Sequence, residues 1–241
     1  MGADRQVDYY DDFYRELAAI DARGNDYSKI ADLVGDAGAG RRLTVVDVGS
    51  GHGSVSAELA RRGHQVVGLE VGREALASLK QLRISGVRCD VTRRLPLADA
   101  HADVVLLLDV LEHVFQPLTL LQEARRILRP GGFVIVTVPL YFDIVDRLRI
   151  LWSGKVVSYD NRVYGARLAA RFRSYNYDHI RFFRPADVDE MMTLSGLEVR
   201  QRVFVPLASS SPFPFLPVLR FLAWGMPGLF AHSMKVRASK P

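Results

Sequence analysis

Cysteine is almost missing from this chain: its 241 residues include one, Cys89. A single thiol cannot build a disulfide framework or a cysteine zinc site, and it fits a reducing compartment. Lysine is scarce as well, with five among 32 basic residues, so the net charge of +5 rests on arginine. That bias by itself says little about function. The segment from Met1 to Tyr14 carries acids and no apolar core, so no secretory signal is expected. Long hydrophobic runs are also lacking. The most apolar stretch, Val203 to Met234, is interrupted by Pro206, Pro212, Pro214, Pro217, Arg220 and Pro227, which argues against a membrane span. There is no internal repeat and no low-complexity tail. Cytoplasmic residence is the expectation that remains.

What the chain does contain is an ordinary globular composition, 49% hydrophobic and 24% charged, at a length that supports one sizeable core. Its most informative stretch is Val45-Val46-Asp47-Val48-Gly49-Ser50-Gly51-His52-Gly53. Apolar residues run into an acid, and glycines then fall at alternate positions. The pattern predicts a buried parallel strand, a sharp turn and a helix from Ser54 to Arg62. Glycine is needed there for φ values that other residues resist, and for close approach of a ligand to the backbone. The first-turn N–H groups of the helix can meet a negative group such as a carboxylate. A dinucleotide fingerprint would place its third glycine at 54, which is serine, so a nicotinamide-dependent oxidoreductase is disfavoured.

Further along, Gln65 to Glu70 reads as a strand ending in an acid, Arg73 to Arg83 as a helix, and Gly86 to Asp90 as a short strand ending in another acid. Apart from Asp103, Ala102 to Leu108 is apolar, as expected of a strand covered on both faces. Pro117 to Leu128 reads as a helix, Arg129-Pro130-Gly131-Gly132 as its stop, and Phe133 to Val138 as the next strand. Such alternation implies right-handed crossovers and a parallel sheet. Residues 8 to 35 read as one or two helices carrying Tyr9, Tyr10, Phe13, Tyr14 and Tyr27. Residues 140 to 184 look like an irregular, partly helical insertion, followed by a helix from Pro185, a strand from Leu197 to Val205 and a last strand near Leu229 to Val236. In open α/β sheets the ligand lies beyond the carboxyl ends of the strands, where Glu70, Asp90 and Asp109 all sit.

With these positions in place, residues 43 to 139 closely resemble class I methyltransferases that use S-adenosylmethionine (SAM). Residues 178 to 205 resemble them more loosely. The segment Leu108-Asp109-Val110-Leu111-Glu112-His113-Val114 looks like that of the ubiquinone-biosynthesis and MetW-like branches, as do Leu128-Arg129-Pro130-Gly131-Gly132 and His179-Ile180-Arg181-Phe182-Phe183. The resemblance implies one α/β domain over 1–241: a Rossmann-like, mostly parallel seven-stranded sheet with helices on both faces. Within it, 1–40 would be N-terminal helices, 41–139 the SAM-binding half, 140–184 a helical insertion or lid after strand five, and 185–241 the remaining helix and strands. It further implies that Asp47, Gly49, Ser50, Gly51 and Gly53 cradle the methionine portion of SAM. Glu70 and Val71 would take the ribose, Asp90 and Val91 the adenine, and Asp109 would also line the cofactor. The expected activity is methyl transfer from SAM to a small molecule, with O-methylation preferred and S-adenosylhomocysteine (SAH) as product. The alternative is a non-catalytic SAM-binding partner of another enzyme.

Asp109, Glu112 and His113 at i, i+3 and i+4 would share one helical face. With the distant His179 they are plausible divalent-metal ligands, although Glu112 and His113 can equally be a structural pair at a helix start, and no metal is assigned. His113 is the candidate general base. His52, His64, His101 and His232 read as solvent-facing or packing residues. Between Ile144 and Arg184, nine basic residues face three acids. This segment, with Arg171, Arg173 and several tyrosines, reads either as a solvated surface or as a lid recognising an anionic, amphiphilic acceptor. Nucleic-acid binding is not indicated by any module. The Pro/Phe-rich stretch 206–228 reads as a packed loop or dimer contact, as a cap over an apolar acceptor, or as a peripheral membrane contact.

Overall fold

The computed structural model describes residues 28–38, 40–140, 143–154, 179–206 and 216–241. Chain order runs α1 (Ser28–Gly38), β1 (Thr44–Val48), α2 (Ser54–Arg61), β2 (Gln65–Glu70), α3 (Arg73–Gln81), β3 (Ser85–Arg88) and β4 (Ala102–Leu108). A 3-10 turn (Leu111–His113), α4 (Pro117–Ile127), β5 (Leu128–Pro139), α5 (Ile144–Ser153), α6 (Pro185–Leu194) and β6 (Glu198–Pro206) follow. α7 (Leu216–Gly225), α8 (Pro227–Phe230) and β7 (Ala231–Ser239) complete it.

The strands form one seven-stranded sheet in the order β3-β2-β1-β4-β5-β7-β6. All pairings from β3 to β5 are parallel, whereas β7 lies antiparallel between β5 and β6. The apolar reading of β4 is explained by its two faces. Val104 and Leu106 pack into the layer with α1 and α2, and Val105 and Leu107 into the opposite layer with α4 and α6. β5 divides in the same way, Phe133 and Ile135 against Val134, Val136 and Val138. Beyond Asp103, which pairs with Arg41 and Arg129 at the strand's start, β4 is buried on both sides and shows no alternation.

Several boundaries differ from the sequence reading. β5 begins at Leu128 rather than Phe133, because Leu128 pairs with Ala102 and the Gly131 N–H donates to the Lys240 carbonyl. β7 runs to Ser239, and β3 ends before Asp90. The stretch 206–228 is not simply a loop, since α7 and α8 lie in it. Pro217 sits in the first turn of α7, where a missing N–H costs nothing. α7 buries Ala223 and exposes Val218, Phe221 and Trp224 on its outer side. Of the expected insertion, α5 is described, and 141–142 and 155–178 lie outside the described residues, with Arg171, Arg173 and all of its tyrosines. The aromatics of residues 8–27 lie outside them too. Among the described residues no helix is long and apolar enough to cross a membrane.

Candidate functional site

The turn after β1 is built on left-handed glycines, with φ of +69° at Gly49, +52° at Gly51 and +80° at Gly53. The Gly49 and Ser50 amides donate to the Leu69 carbonyl at 2.8 and 3.3 Å, which ties the turn to the end of β2. A Cβ on Gly49 would come within 2.8 Å of Val110 Cγ2. From the other side, Ser78 Oγ donates to the His52 carbonyl at 2.9 Å. Gly53 begins α2 with no side-chain cap, so the first-turn amides of that helix face the cleft end of the sheet.

Glu70 is buried and grips this turn. Its Oε2 accepts from Gly51 N at 3.0 Å, and its Oε1 accepts from Val71 N at 2.7 Å and Gly72 N at 3.0 Å. Two ribose hydroxyls would therefore have to share or displace these amides. Asp90 engages its own loop in a similar way, accepting from Thr92 N at 2.9 Å and Thr92 Oγ1 at 2.6 Å. Both acids stand at the sheet end where the sequence placed them, and both serve first to shape backbone.

Asp47 is buried beneath the turn, where Ser56 Oγ donates to its Oδ2 at 2.6 Å. Burial pushes its carboxyl up to about 6, the Ser56 hydrogen bond pulls it back down, and the charge of Glu70 raises it further. A carboxyl raised in the folded state contributes stability that is present below its unfolded value, 3.8, and lost as pH rises through about 6. Asp47→Asn, which keeps the acceptor oxygen, is expected to match the wild type at pH 4. Above pH 7 it should exceed the wild type by about 3 kcal/mol. Urea unfolding of both proteins between pH 4 and 8 measures the difference. A gap that does not widen with pH would contradict the assignment.

Asp109 follows β4 with φ of +53°. Thr137 of β5 fixes it: Thr137 Oγ1 donates to Asp109 Oδ1 at 2.9 Å, and Asp109 N donates to Thr137 Oγ1 at 2.9 Å. Burial raises the Asp109 carboxyl, and the Thr137 hydrogen bond and the charges of His113, Lys235 and His232 oppose that rise. The left-handed backbone overturns the expectation that Asp109, Glu112 and His113 share one helical face. The helical turn starts only at Leu111 and is three residues long. Asp109 turns to β5, whereas Glu112 and His113 turn to His179. The His113 and His179 rings meet edge to face with centroids 4.7 Å apart. One ligand atom each from Glu112, His113 and His179 lie within 4.8 Å of one another, so three donors could converge on a divalent cation. The backbone locks this arrangement, since Ile180 N and Arg181 N both donate to the Glu112 carbonyl, at 2.9 and 3.2 Å.

Two residues that sequence reasoning left aside come to the same end of the sheet. His232, read as solvent-facing or packing, places its Nδ1 at 3.0 Å from the Pro206 carbonyl. Lys235 stands opposite Thr137 in the β5–β7 ladder. The signal available was the alternation in β7, where Met234, Val236 and Ala238 are buried and the intervening residues are basic or polar. His64 is peripheral: its Nδ1 accepts from Leu43 N, and burial followed by the charge of Arg62 lowers its pKa.

Comparison with known proteins agrees with this geometry. A family model described as a methyltransferase domain matches residues 46–136. The ubiquinone biosynthesis O-methyltransferase of Paraburkholderia phytofirmans is 31% identical over 176 residues, covering 68% of this chain and 70% of that protein. The chain belongs to the class I SAM-dependent methyltransferases, with SAM as its cofactor. The Vibrio cholerae enzyme of the same name is 31% identical over 162 residues, 64% of this chain and 60% of that protein, so the chain spans less than two thirds of it. Among solved structures, the Burkholderia thailandensis 1,6-didemethyltoxoflavin-N1-methyltransferase, with bound S-adenosylhomocysteine, superposes with a TM-score of 0.62 at 17% identity. That alignment covers 100% of this chain and 91% of the other, and it shows the shared fold.

The residues of this methyltransferase suit SAM on its own geometry. Beside the glycine turn, Ser50 Oγ is buried without a hydrogen-bond partner among the described residues. SAM carries a carboxylate, two cationic centres and a ribose diol. Helix-start amides at Ser54 and acids at 70, 90 and 109 form the complementary set.

Proposed function

We propose that this methyltransferase catalyses O-methylation of a small hydroxylated acceptor, with Asp47, Gly49, Ser50, Gly51, Gly53, Glu70, Val71, Asp90, Val91 and Asp109 forming the cofactor side. The observation that carries this reading is the split of the site at the β1/β4 switch point. The glycine turn, Glu70 and Asp90 lie over β1 to β3, and His113 and His179 lie beyond β4. SAM supplies a methyl group already activated on a sulfonium, so the protein's task is alignment and exclusion of water. His113 takes the acceptor's hydroxyl proton on a ring nitrogen as the oxygen gains the methyl group. The packed His179 ring and the Glu112 carbonyl contacts hold His113 in place.

A second reading, in which Glu112, His113 and His179 hold a divalent cation that orients the acceptor oxygens, is supported by the convergence of their donor atoms. Regulation of another enzyme without catalysis has no comparable support from the site. An anionic or amphiphilic acceptor and a peripheral lipid contact are part of the proposal, the latter supported by the exposed Phe221 and Trp224 of α7.

One experiment covers these readings. Purified protein is given methyl-tritiated SAM and a panel of phenols and catechols, with and without a chelator, and then with anionic vesicles that are pelleted. Transfer of label to oxygen supports the enzyme, and transfer that persists in chelator removes the cation. Failure of every hydroxylated acceptor, with SAM bound, would refute O-methylation. Protein that stays in the supernatant would refute the lipid contact.

A further inference from the structure

The turn that presents Asp90 and Val91 is held from outside. The described residues 89–101 join β3 to β4 without a helix, so their backbone groups need partners elsewhere. At the entrance Cys89 N donates to the Glu70 carbonyl at 3.0 Å, and Arg93 N closes a turn onto the Asp90 carbonyl at 3.1 Å. At the exit the partners come from α4. Glu123 Oε2 accepts from Leu95 N at 2.9 Å. Arg126 Nη2 donates to the Leu95 carbonyl at 3.0 Å, and its Nη1 donates to the Leu97 carbonyl at 2.9 Å and to Asp99 Oδ1 at 2.7 Å. Its Nε and Nη2 also form a fork onto the two Glu123 oxygens, at 2.9 and 2.8 Å. A guanidinium has five N–H donors, and here it meets five acceptor atoms. Both side chains are largely buried, Arg126 being 17% and Glu123 18% exposed. The Arg126 hydrogen bond holds the Glu123 carboxyl below its ordinary value, which keeps the pair charged at neutral pH. Ala100 N and His101 N then donate to the Arg126 and Ile127 carbonyls, which the end of a helix leaves open.

We infer that Glu123 and Arg126 are positioning residues for the cofactor's adenine: through Leu95 and Leu97 they fix the turn from which Asp90 and Val91 reach the base. The inference rests on placing Asp90 and Val91 at the adenine, and it is independent of which acceptor atom is methylated. Arg94 alone separates the turn closed by Arg93 N from the Leu95 amide held by Glu123, so slack at this clasp passes directly to Asp90. Leu95 is buried in the core, and Val91 and Leu97 pack against the same cluster. Charge by itself does not make the clasp. A lysine has one nitrogen and cannot bridge both carboxylate oxygens and two carbonyls at once, so Arg126→Lys separates geometry from charge.

The test is calorimetric binding of SAH and of its deamino analogue, in which hydrogen replaces the adenine amino group, to the full chain well below its unfolding temperature. A carboxylate accepts from that amino group, and the analogue has no donor there. The wild type is expected to prefer SAH, and Asp90→Ala to lose that preference. Arg126→Met should weaken SAH about tenfold or more and the analogue by less, so that the preference narrows, with Arg126→Lys recovering only part of it. If the wild type binds both ligands alike, or Asp90→Ala keeps the preference, the placing of Asp90 at the adenine fails and the inference fails with it. If Asp90→Ala loses the preference and Arg126→Met keeps it, the inference alone is overturned. A lower melting temperature in Arg126→Met would then mark the pair as a prop for the fold. An equal loss of both ligands in Arg126→Met overturns it too. Where Arg126→Met does not fold, Glu123→Gln, which keeps an acceptor for Leu95 N, is read by the same criterion and is expected to narrow the preference.

Discussion

Gly51→Val is expected to weaken SAH binding at least a hundredfold, about 3 kcal/mol, while the protein still folds. The reason is local. Gly51 has φ of +52°, and its amide is one of three held by Glu70. A β-branched residue there costs roughly 1–2 kcal/mol in backbone strain. It also either releases the amide from Glu70 or projects side-chain carbons into the ligand's space. The sheet does not depend on this residue, so thermal unfolding should shift by only several degrees. Gly53 is the contrasting case. Its Cβ would lie 2.4 Å from Leu79 Cδ2, inside the core, so Gly53→Ala should act mainly on stability. Calorimetric SAH affinity unchanged in Gly51→Val would remove the glycine turn from the cofactor site.

His113→Ala is expected to lower turnover by about 10²–10⁴ with SAH affinity within about twofold of wild type. A general base acts on the acceptor proton only in the transition state, so its loss appears in kcat and not in cofactor binding. His179→Ala separates the roles assigned to this cluster. If His179 only orients the His113 ring, its loss should be partial and insensitive to added metal. If the cluster holds a cation, both variants should fail alike and excess metal should recover activity in part. Wild-type turnover in His113→Ala across the whole pH range would place the base elsewhere.

The sheet was legible because its signals are periodic or compositional. β1, β2 and β4 are apolar runs ending in acids, and the glycines at 49, 51 and 53 mark a turn that backbone sterics demand. The acids at 70, 90 and 109 stand at or just after the carboxyl ends of β2, β3 and β4, because strand direction alone fixes that edge. What they bond to was not legible. Glu70 and Asp90 hold backbone amides, an outcome set by loop conformation. The helical face proposed for Asp109, Glu112 and His113 failed because nothing in the residue types announces a left-handed aspartate. The prolines around α7 pointed to a loop, and Pro217 is tolerated because a helix's first turn has no use for its N–H. The place of Lys235 was not legible either, because it depends on register, through which β7 sets it opposite Thr137.

The position of β7 also bears on how the sheet is assembled. Residues 231–239 fill the gap between β5 and β6, so during vectorial synthesis neither strand can pair with β7 until that segment leaves the ribosome. β5 and β6 then each present an open hydrogen-bonding edge, one of them in the most apolar part of the sheet. Nascent chains stalled before residue 231 should therefore be the aggregation-prone form, in need of a chaperone.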